Sequence, residues 1–288
     1  MLLGNDLDAL LTAAHVRREA MTDRGVQFIR RRDADGAHYL IVNRSADRID
    51  GWLPLAVPAA SAMLFDPDSG HSSVAAVRTK EPGSEVYVQL DPGQTMIVRP
   101  FANEALHGIP WTYLAPAGDP QPLTGSWELH FLEGGPKLPS DAKLDKLTSW
   151  TELPDPEAKS FSGTAQYTLR FTTPAGDASD WLLDLGEVHE TVRVKLNGRN
   201  LGTLWYPPYR GPLGSFLRGG ENVLELEVTN LATNRIADMD RRKVPWKAFY
   251  DANIVTLKYK AFDASSWEPL PSGLIGPVKL VPCRIEKP

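Results

Sequence analysis

The stretch that decides the fold is HETVRVKLNGRNLGTLWYPPYRG, residues 189–211. From residue 188 to residue 196 apolar and polar side chains alternate, which predicts a strand with one buried face. Glu190 is the one carboxylate on the apolar side of that strand. Asn197-Gly198 can adopt the positive φ angles of a two-residue turn, so the chain should return as a second strand through residues 201–205. The stretch therefore predicts an antiparallel hairpin that leads into an aromatic loop.

The same period of two recurs through most of the chain. Short alternating runs separated by turn sequences predict an antiparallel β-sandwich over residues 25–102. Proline and glycine mark residues 103–125 as a linker, and residues 126–288 again show strand patterns. Helical spacing predicts a helix within residues 1–24, with a leucine face between residues 5 and 21. We therefore expect an all-β protein of two antiparallel domains with one N-terminal helix, and no Rossmann sheet or (β/α)8 barrel.

Composition narrows the function classes. The 288 residues carry a net charge of -5 with an isoelectric point near 5.7, and the basic runs are short, so nucleic-acid binding is not expected. No run of about 18 apolar residues occurs, so no membrane span is predicted, and the first residues lack the pattern of a signal peptide. Cys283 is the only cysteine, which rules out an intrachain disulfide. Histidine spacing and the lack of phosphate-binding or nucleophile motifs predict no metal and no cofactor.

The aromatic loop is a candidate carbohydrate-binding site. Proteins hold sugars with aromatic faces and with polar side chains that hydrogen-bond the hydroxyls, and both must share one concavity. The loop and the end of a neighbouring strand supply this mixture; the candidates are Trp205, Tyr206, Tyr209, Arg210, Asn230 and Asn234. The alternative is that Trp205 and Tyr209 close the end of a sandwich core while Pro207-Pro208 stiffens the loop. Two other aromatic groups are interpreted as packing; they are Trp246, Phe249 and Tyr250, and separately Trp267.

Several stretches resemble glycoside hydrolases. The order of residues 161–171 (FSGTAQYTLRF), 181–210 (WLLDLGEVHETVRVKLNGRNLGTLWYPPYR) and 219–230 (GGENVLELEVTN) resembles the sugar-binding jelly roll of glycoside hydrolase family 2. More narrowly, RGVQFIRRRDADGAHYLIVNRSADRIDGWLPL at 24–55, LTSWTELPDPEAKSFSGTAQY at 147–167 and SGLIGPVKL at 272–280 resemble the C-terminal part of family 106, the α-L-rhamnosidases. The resemblance extends from about residue 25 to residue 280.

The resemblance implies an accessory region rather than a complete enzyme. Residues 126–288 would form the galactose-binding-like jelly roll, whereas the catalytic barrel of those rhamnosidases has no counterpart in this sequence. The helix within residues 1–24 resembles the end of that preceding domain. The implied function is a non-catalytic carbohydrate-binding or scaffold module with no catalytic residue of its own. Its implied partners are rhamnose-containing carbohydrate and a catalytic barrel, and its implied location is periplasmic or secreted.

Two further hypotheses stay open. A self-sufficient glycoside hydrolase could act on rhamnose-containing glycans at a site between the two β domains. It would need a pair of carboxylates facing one cleft, and the candidates near the central strand are Asp184, Glu187 and Glu190. Alternatively, the leucine face of residues 5–21 could dock a separate catalytic barrel, which would make the chain a protein-interaction module.

Overall fold

The computed structural model describes residues 3–14, 16–34, 36–81, 83–176, 178–247, 260 and 262–288. The chain divides into two compact units, Met1–Ala115 with Ile285–Pro288, and Pro116–Arg284. The boundary lies inside the stretch 103–125 that was expected to be a linker. The sheets are antiparallel and the described residues contain only two α-helices, so the prediction of an all-β sandwich architecture is confirmed.

Unit 1 is built from two antiparallel sheets. Its strands are β1 (Val26–Asp33), β2 (Gly36–Asn43), β3 (Ile49–Leu55), β4 (Ser61–Phe65), β5 (Ser72–Val74), β6 (Val77–Lys80), β7 (Gly83–Leu90) and β8 (Thr95–Phe101). One sheet has the order β1-β2-β8-β4-β5 and the other β3-β7-β6. Tyr39, Ile41 and Val98 of the first sheet share one buried cluster with Val86 and Val88 of the second. The alternating strands thus place their apolar faces against each other, as in a sandwich.

The N-terminal helix is shorter than predicted. Helix α1 runs from Leu7 to Ala13, and the Asp6 carboxylate caps it by accepting the first backbone N–H groups. The chain then enters a 3₁₀ turn at Ala20–Arg24 instead of continuing the helix to residue 21. Glu19 precedes this turn with an extended backbone (φ -82°, ψ 102°), and its buried side chain accepts hydrogen bonds from the Tyr39 hydroxyl and the Ala56 N–H. None of the described α1 residues is buried.

Unit 2 is a second sandwich. Its strands are β9 (Tyr113–Pro116), β10 (Gln121–Pro122), β11 (Trp127–Gly135), β12 (Ala142–Leu144), β13 (Ser162–Thr172), β14 (Asp180–Asp184), β15 (Glu187–His189), β16 (Thr191–Leu196), β17 (Arg199–Leu204), β18 (Arg210–Pro212), β19 (Glu221–Thr229), β20 (Gly273–Gly276) and β21 (Lys279–Glu286), of which β9 and β21 extend across the boundary. The large sheet has the order β12-β11-β13-β19-β16-β17, and a second contains β10-β21-β14-β18. Leu169 and Leu226 of the large sheet share one core with Leu183 and Leu280 of the second.

Helix α2, Thr233–Arg241, was not predicted. Its N-cap is Ala232, which has no side-chain capping bond, and only Asn234 and Ala237 of the helix are buried. The sequence therefore lacks both the capping residue and the apolar stripe that normally mark a helix. Residues 253–262, which belong to the stretch 126–288 with strand patterns, lie almost entirely outside the described residues.

The hairpin predicted at Asn197-Gly198 is confirmed. Asn197 and Gly198 have φ angles of 55° and 76°, and β16 pairs antiparallel with β17 across them. The pairing shifts by one residue after Val194, so Leu201 and Leu204 both pack against the core. Strand β17 therefore ends at Leu204, one residue earlier than expected, and leaves Trp205 at the surface.

An ion-pair cluster on the outer face of this sheet makes unit 2 sensitive to acid. Lys195 and Arg193 donate to the Glu227 carboxylate at 2.5 and 2.7 Å. The bond from Lys195 and the neighbouring charges hold the pKa of Glu227 below its ordinary value of 4.5. A lowered folded-state pKa contributes stability above the unfolded value, and that contribution disappears as the pH falls through the folded-state pKa.

We therefore expect Glu227→Gln to reduce the free energy of unfolding more at pH 7 than at pH 3, because protonation of Glu227 as the pH falls removes its contribution. Urea unfolding of both chains at each pH measures the difference. The matched control is Glu221→Gln on the same strand, whose side chain is exposed and lies 3.8 Å from Arg170. An equal loss of stability at both pH values would contradict the ion-pair argument.

Candidate functional site

The predicted site residues meet at one end of the large sheet of unit 2. Thr191 at the start of β16 faces Thr229 at the end of β19, and Leu204 at the end of β17 pairs with Val192. The segment before β16 and the segments after β17 and β19 therefore lie at the same end of the sheet. We call the region formed by residues 184–190 and 205–210 the aromatic end.

The aromatic pair is the most exposed part of this region. The Trp205 side chain is 57% exposed, and its ring contacts that of half-buried Tyr206 edge to face, with centroids 4.9 Å apart and an interplanar angle of 77°. Such an edge-to-face pair holds both rings in place. Trp205 therefore does not close the core, and it presents an aromatic surface to solvent.

Tyr209 has the opposite placement. It is buried, and its hydroxyl donates to the backbone carbonyl of Glu190. Burial, with a smaller contribution from the Glu190 charge, raises the pKa of this hydroxyl. The backbone carbonyl of Tyr209 accepts from the Leu185 N–H. Tyr209 therefore fastens the aromatic loop to residues 185–190, as the packing alternative expected for this residue.

Arg210 lies in an ion pair at the base of the loop. It faces Asp184 in the pairing of β14 with β18, and its Nε donates to Asp184 Oδ2 at 2.9 Å. Asp184 also accepts the Gly186 N–H through its other oxygen. The positive charge of Arg210 is thus matched by a carboxylate, while its side chain stays partly exposed at the edge of the aromatic end.

Two more carboxylates converge on one histidine. His189 Nε2 lies 2.8 Å from Glu187 Oε1, and His189 Nδ1 lies 3.7 Å from Glu190 Oε1. Both glutamate side chains are exposed. Carboxylate oxygens accept hydrogen bonds, so this cluster can bind hydroxyl groups. Two of the three candidate carboxylates of the hydrolase hypothesis, Glu187 and Glu190, therefore share an imidazole, whereas Asp184 is paired with Arg210.

Asn230 and Asn234 are at this end but point inward. The Asn230 amide donates to the Phe161 carbonyl and accepts from the Gly163 N–H, at 2.9 and 3.0 Å. The Asn234 amide makes both bonds to the backbone of Leu270, each at 2.8 Å. Both side chains are buried. Their hydrogen-bonding capacity is committed to holding backbone segments together beneath the aromatic end.

A second aromatic group packs beside helix α2 and was only partly anticipated. Phe262 joins Trp246 to Trp267 through edge-to-face contacts with centroids 6.0 and 5.6 Å apart. Lys247 and Asp240 form an ion pair at 2.9 Å, and the Trp246 indole donates to the same carboxylate. Sequence reasoning missed Asp240, Lys247 and Phe262 because nothing local marks their long-range contacts. Phe249 and Tyr250 lie outside the described residues.

The described residues contain no group of three or more His, Cys, Asp or Glu side chains that could hold a metal ion. The sequence Asp66-Pro67-Asp68-Ser69-Gly70 forms a turn, with the Gly70 N–H donating to the Asp66 carbonyl at 2.9 Å. Neither helix in the described part of the chain has the length and apolar character needed to cross a bilayer.

Comparison with known proteins connects the chain to carbohydrate-active enzymes. No family model matches it. A protein named "Putative beta-glucuronidase" from Formosa agariphila is 31% identical over an alignment of 228 residues, which covers 68% of this chain and 19% of that protein. The solved structure of a rhamnosidase from Novosphingobium sp. PP1Y is 25% identical with a TM-score of 0.72, over 97% of this chain and 26% of the rhamnosidase. The chain thus spans less than a third of either relative, and it is related to glycoside hydrolases.

Proposed function

We propose that this chain is the accessory β-sandwich region of an α-L-rhamnosidase-like glycoside hydrolase of family 106. In this proposal it serves as a scaffold and binds carbohydrate through the aromatic end. The likeness to the rhamnosidase structure, which extends over 97% of the chain, supports the scaffold part. The exposed Trp205 ring supports the binding part of the proposal, because a large apolar ring exposed at the start of a loop is typical of ligand contacts.

The residues around Trp205 complement a sugar. One face of a pyranose ring presents C–H groups that stack on an indole, and its hydroxyls need acceptors and donors close by. Glu187 and Glu190 supply exposed acceptors, and Arg210 supplies donors. Asn230 and Asn234 would act by fixing the surrounding backbone. The proposed fold of unit 2 is the galactose-binding-like jelly roll, in which loops at one end of the sandwich contact the ligand.

The helix supports a connection to a larger protein. Leu7 is 68% exposed and lies on a helix with no buried residue in the described part. No α1 residue is buried within unit 1, which leaves Leu7 available for contact with another domain. We propose that this contact is with a catalytic barrel, present either in the same polypeptide or in a partner chain.

The binding proposal predicts that Trp205→Ala weakens affinity for a rhamnose-containing oligosaccharide by about tenfold or more, as is typical for the central aromatic residue of a site. Isothermal titration calorimetry measures the change. The matched control is Trp267→Ala, because Trp267 is also a surface tryptophan, at 40% exposure, and contacts the ring of Phe262 instead.

The outcomes separate the hypotheses. Equal weakening by both tryptophan variants would argue against the aromatic end as the site, and no heat with any saccharide would leave the scaffold role alone. The convergence of Glu187 and Glu190 on His189 keeps the hydrolase hypothesis testable. We expect no turnover of an aryl α-L-rhamnoside by the purified chain; turnover that is lost in Glu187→Gln or Glu190→Gln would favour a self-sufficient hydrolase.

A further inference from the structure

The charges of the aromatic end are unevenly distributed. Within strands β14, β18 and β21, Asp184 faces Arg210 on one side and Lys279 on the other. Of these two basic residues, Arg210 forms the ion pair with Asp184. The described ion pairs of Glu187 and Glu190, in contrast, are both with His189. Neither exposed glutamate is therefore matched by a lysine or arginine in these ion pairs.

The ion pair with Asp184 limits how Arg210 can bind a ligand carboxylate. An arginine binds a carboxylate strongly when its fork of N–H groups is free to make two parallel bonds. Here the Arg210 Nε donates to Asp184 at 2.9 Å, so the guanidinium already has its counter-ion. A second carboxylate brought to Arg210 would compete with Asp184 and would also approach the charges of Glu187 and Glu190.

A neutral hydroxyl group is not repelled by the charges of Glu187 and Glu190. A hydroxyl donates to a carboxylate oxygen, and a charged acceptor makes that bond stronger than a neutral one would. Glu187 and Glu190 have exposed side chains and face solvent beside the loop that carries Trp205.

We infer that the aromatic end accepts neutral sugar residues and discriminates against uronic acids, with Glu187 and Glu190 as the hydroxyl acceptors that enforce the selectivity. This inference rests on the proposed carbohydrate-binding function. It assigns a ligand class to the same site: a polyhydroxylated ring with an apolar face and no carboxylate.

The experiment uses two ligands that differ at one carbon of each acidic residue, which is a carboxylate in one ligand and an uncharged hydroxymethyl group in the other. One is an oligosaccharide of alternating rhamnose and galacturonic acid, and the other is the same oligosaccharide after chemical reduction of its carboxyl groups. Titration calorimetry at pH 8 keeps histidine side chains neutral. At low salt we expect the reduced form to bind about tenfold more tightly, because repulsion between like charges a few ångströms apart is of that magnitude. The difference in affinity between the two ligands should decrease at high salt, which screens the charges.

The variants assign the effect to named residues. Changing both Glu187→Gln and Glu190→Gln should narrow the gap between the two ligands, whereas Glu221→Gln, at an exposed position on β19, should leave it unchanged. The inference would be overturned, with carbohydrate binding intact, if the acidic form bound equally or more tightly. It would also be overturned if the difference in affinity between the two ligands persisted in the double variant. If neither ligand binds, the proposed binding function fails and the inference fails with it.

Discussion

Replacing Gly273 with alanine is expected to destabilise unit 2 by about 3–5 kcal/mol, because it combines overpacking with an unfavourable backbone conformation. Gly273 has a φ of +91°, and a Cβ at this position would lie 2.4 Å from Trp150 Nε1 and 2.5 Å from the Tyr167 hydroxyl. Those two groups are hydrogen-bonded at 2.6 Å and fully buried. The Tyr167 hydroxyl also accepts the Leu274 N–H at 3.0 Å. None of these neighbours can move without breaking a buried hydrogen bond.

Gly198→Ala is the matched control for this substitution. Gly198 also has a positive φ, +76°, but a Cβ there meets nothing within 4 Å. The Gly198→Ala variant should lose about 1–2 kcal/mol of unfolding free energy, because only the unfavourable backbone conformation contributes there. Urea unfolding, followed by tryptophan fluorescence, gives both values. Equal losses of unfolding free energy in the two variants would show that close contacts of the added Cβ at position 273 do not contribute.

The second large effect is expected for Glu19→Gln in unit 1. The Glu19 side chain is 3% exposed and accepts hydrogen bonds from Arg30 at 2.5 Å, from the Tyr39 hydroxyl at 2.8 Å and from the Ala56 N–H at 2.9 Å. An amide replaces one accepting oxygen with a donor, so at least one of these buried donors loses its partner. We expect a loss of about 2–4 kcal/mol, because a buried donor without an acceptor and an unpaired charge are both costly.

The exposed pair Arg18–Asp23 provides the control for Glu19. It has the same 2.5 Å separation, but both side chains are more than half exposed. Surface ion pairs of this kind contribute little, so Asp23→Asn should leave the unfolding midpoint almost unchanged. A similar loss in the two variants would mean that burial does not determine the contribution of Glu19.

The regular parts of the fold were predictable because they depend on local patterns. Alternation gives the buried face of β16, and Asn197-Gly198 gives the turn, since both effects act between near neighbours. The single strand predicted over residues 188–196 is instead divided at Glu190 into β15 and β16, which pair in different sheets. The strand order then brings Trp205 and Glu190 to one end of the sheet. The exposure of Trp205 was not predictable, because it depends on the shift in pairing after Val194.

The contacts that the sequence did not reveal connect distant parts of the chain. Asn230 accepts from Gly163, 67 residues away, and Asn234 bonds Leu270, 36 residues away. Polar side chains at strand ends were therefore assigned to a ligand, although the fold supplies buried backbone partners for them. Glu19 was overlooked for the same reason, because its partners come from three separate strands or turns.

The central claim, that saccharide binds at Trp205, is tested most directly by the indole N–H signals of the eight tryptophans in a nitrogen-15 NMR spectrum. Each signal is assigned by single substitution, and a rhamnose-containing oligosaccharide is then titrated into the protein. We predict a saturable shift of the Trp205 signal, with the signals of Trp267 and of the buried Trp150 unchanged. A shift confined to other tryptophans, or no shift of Trp205 under saturating ligand, would contradict the claim.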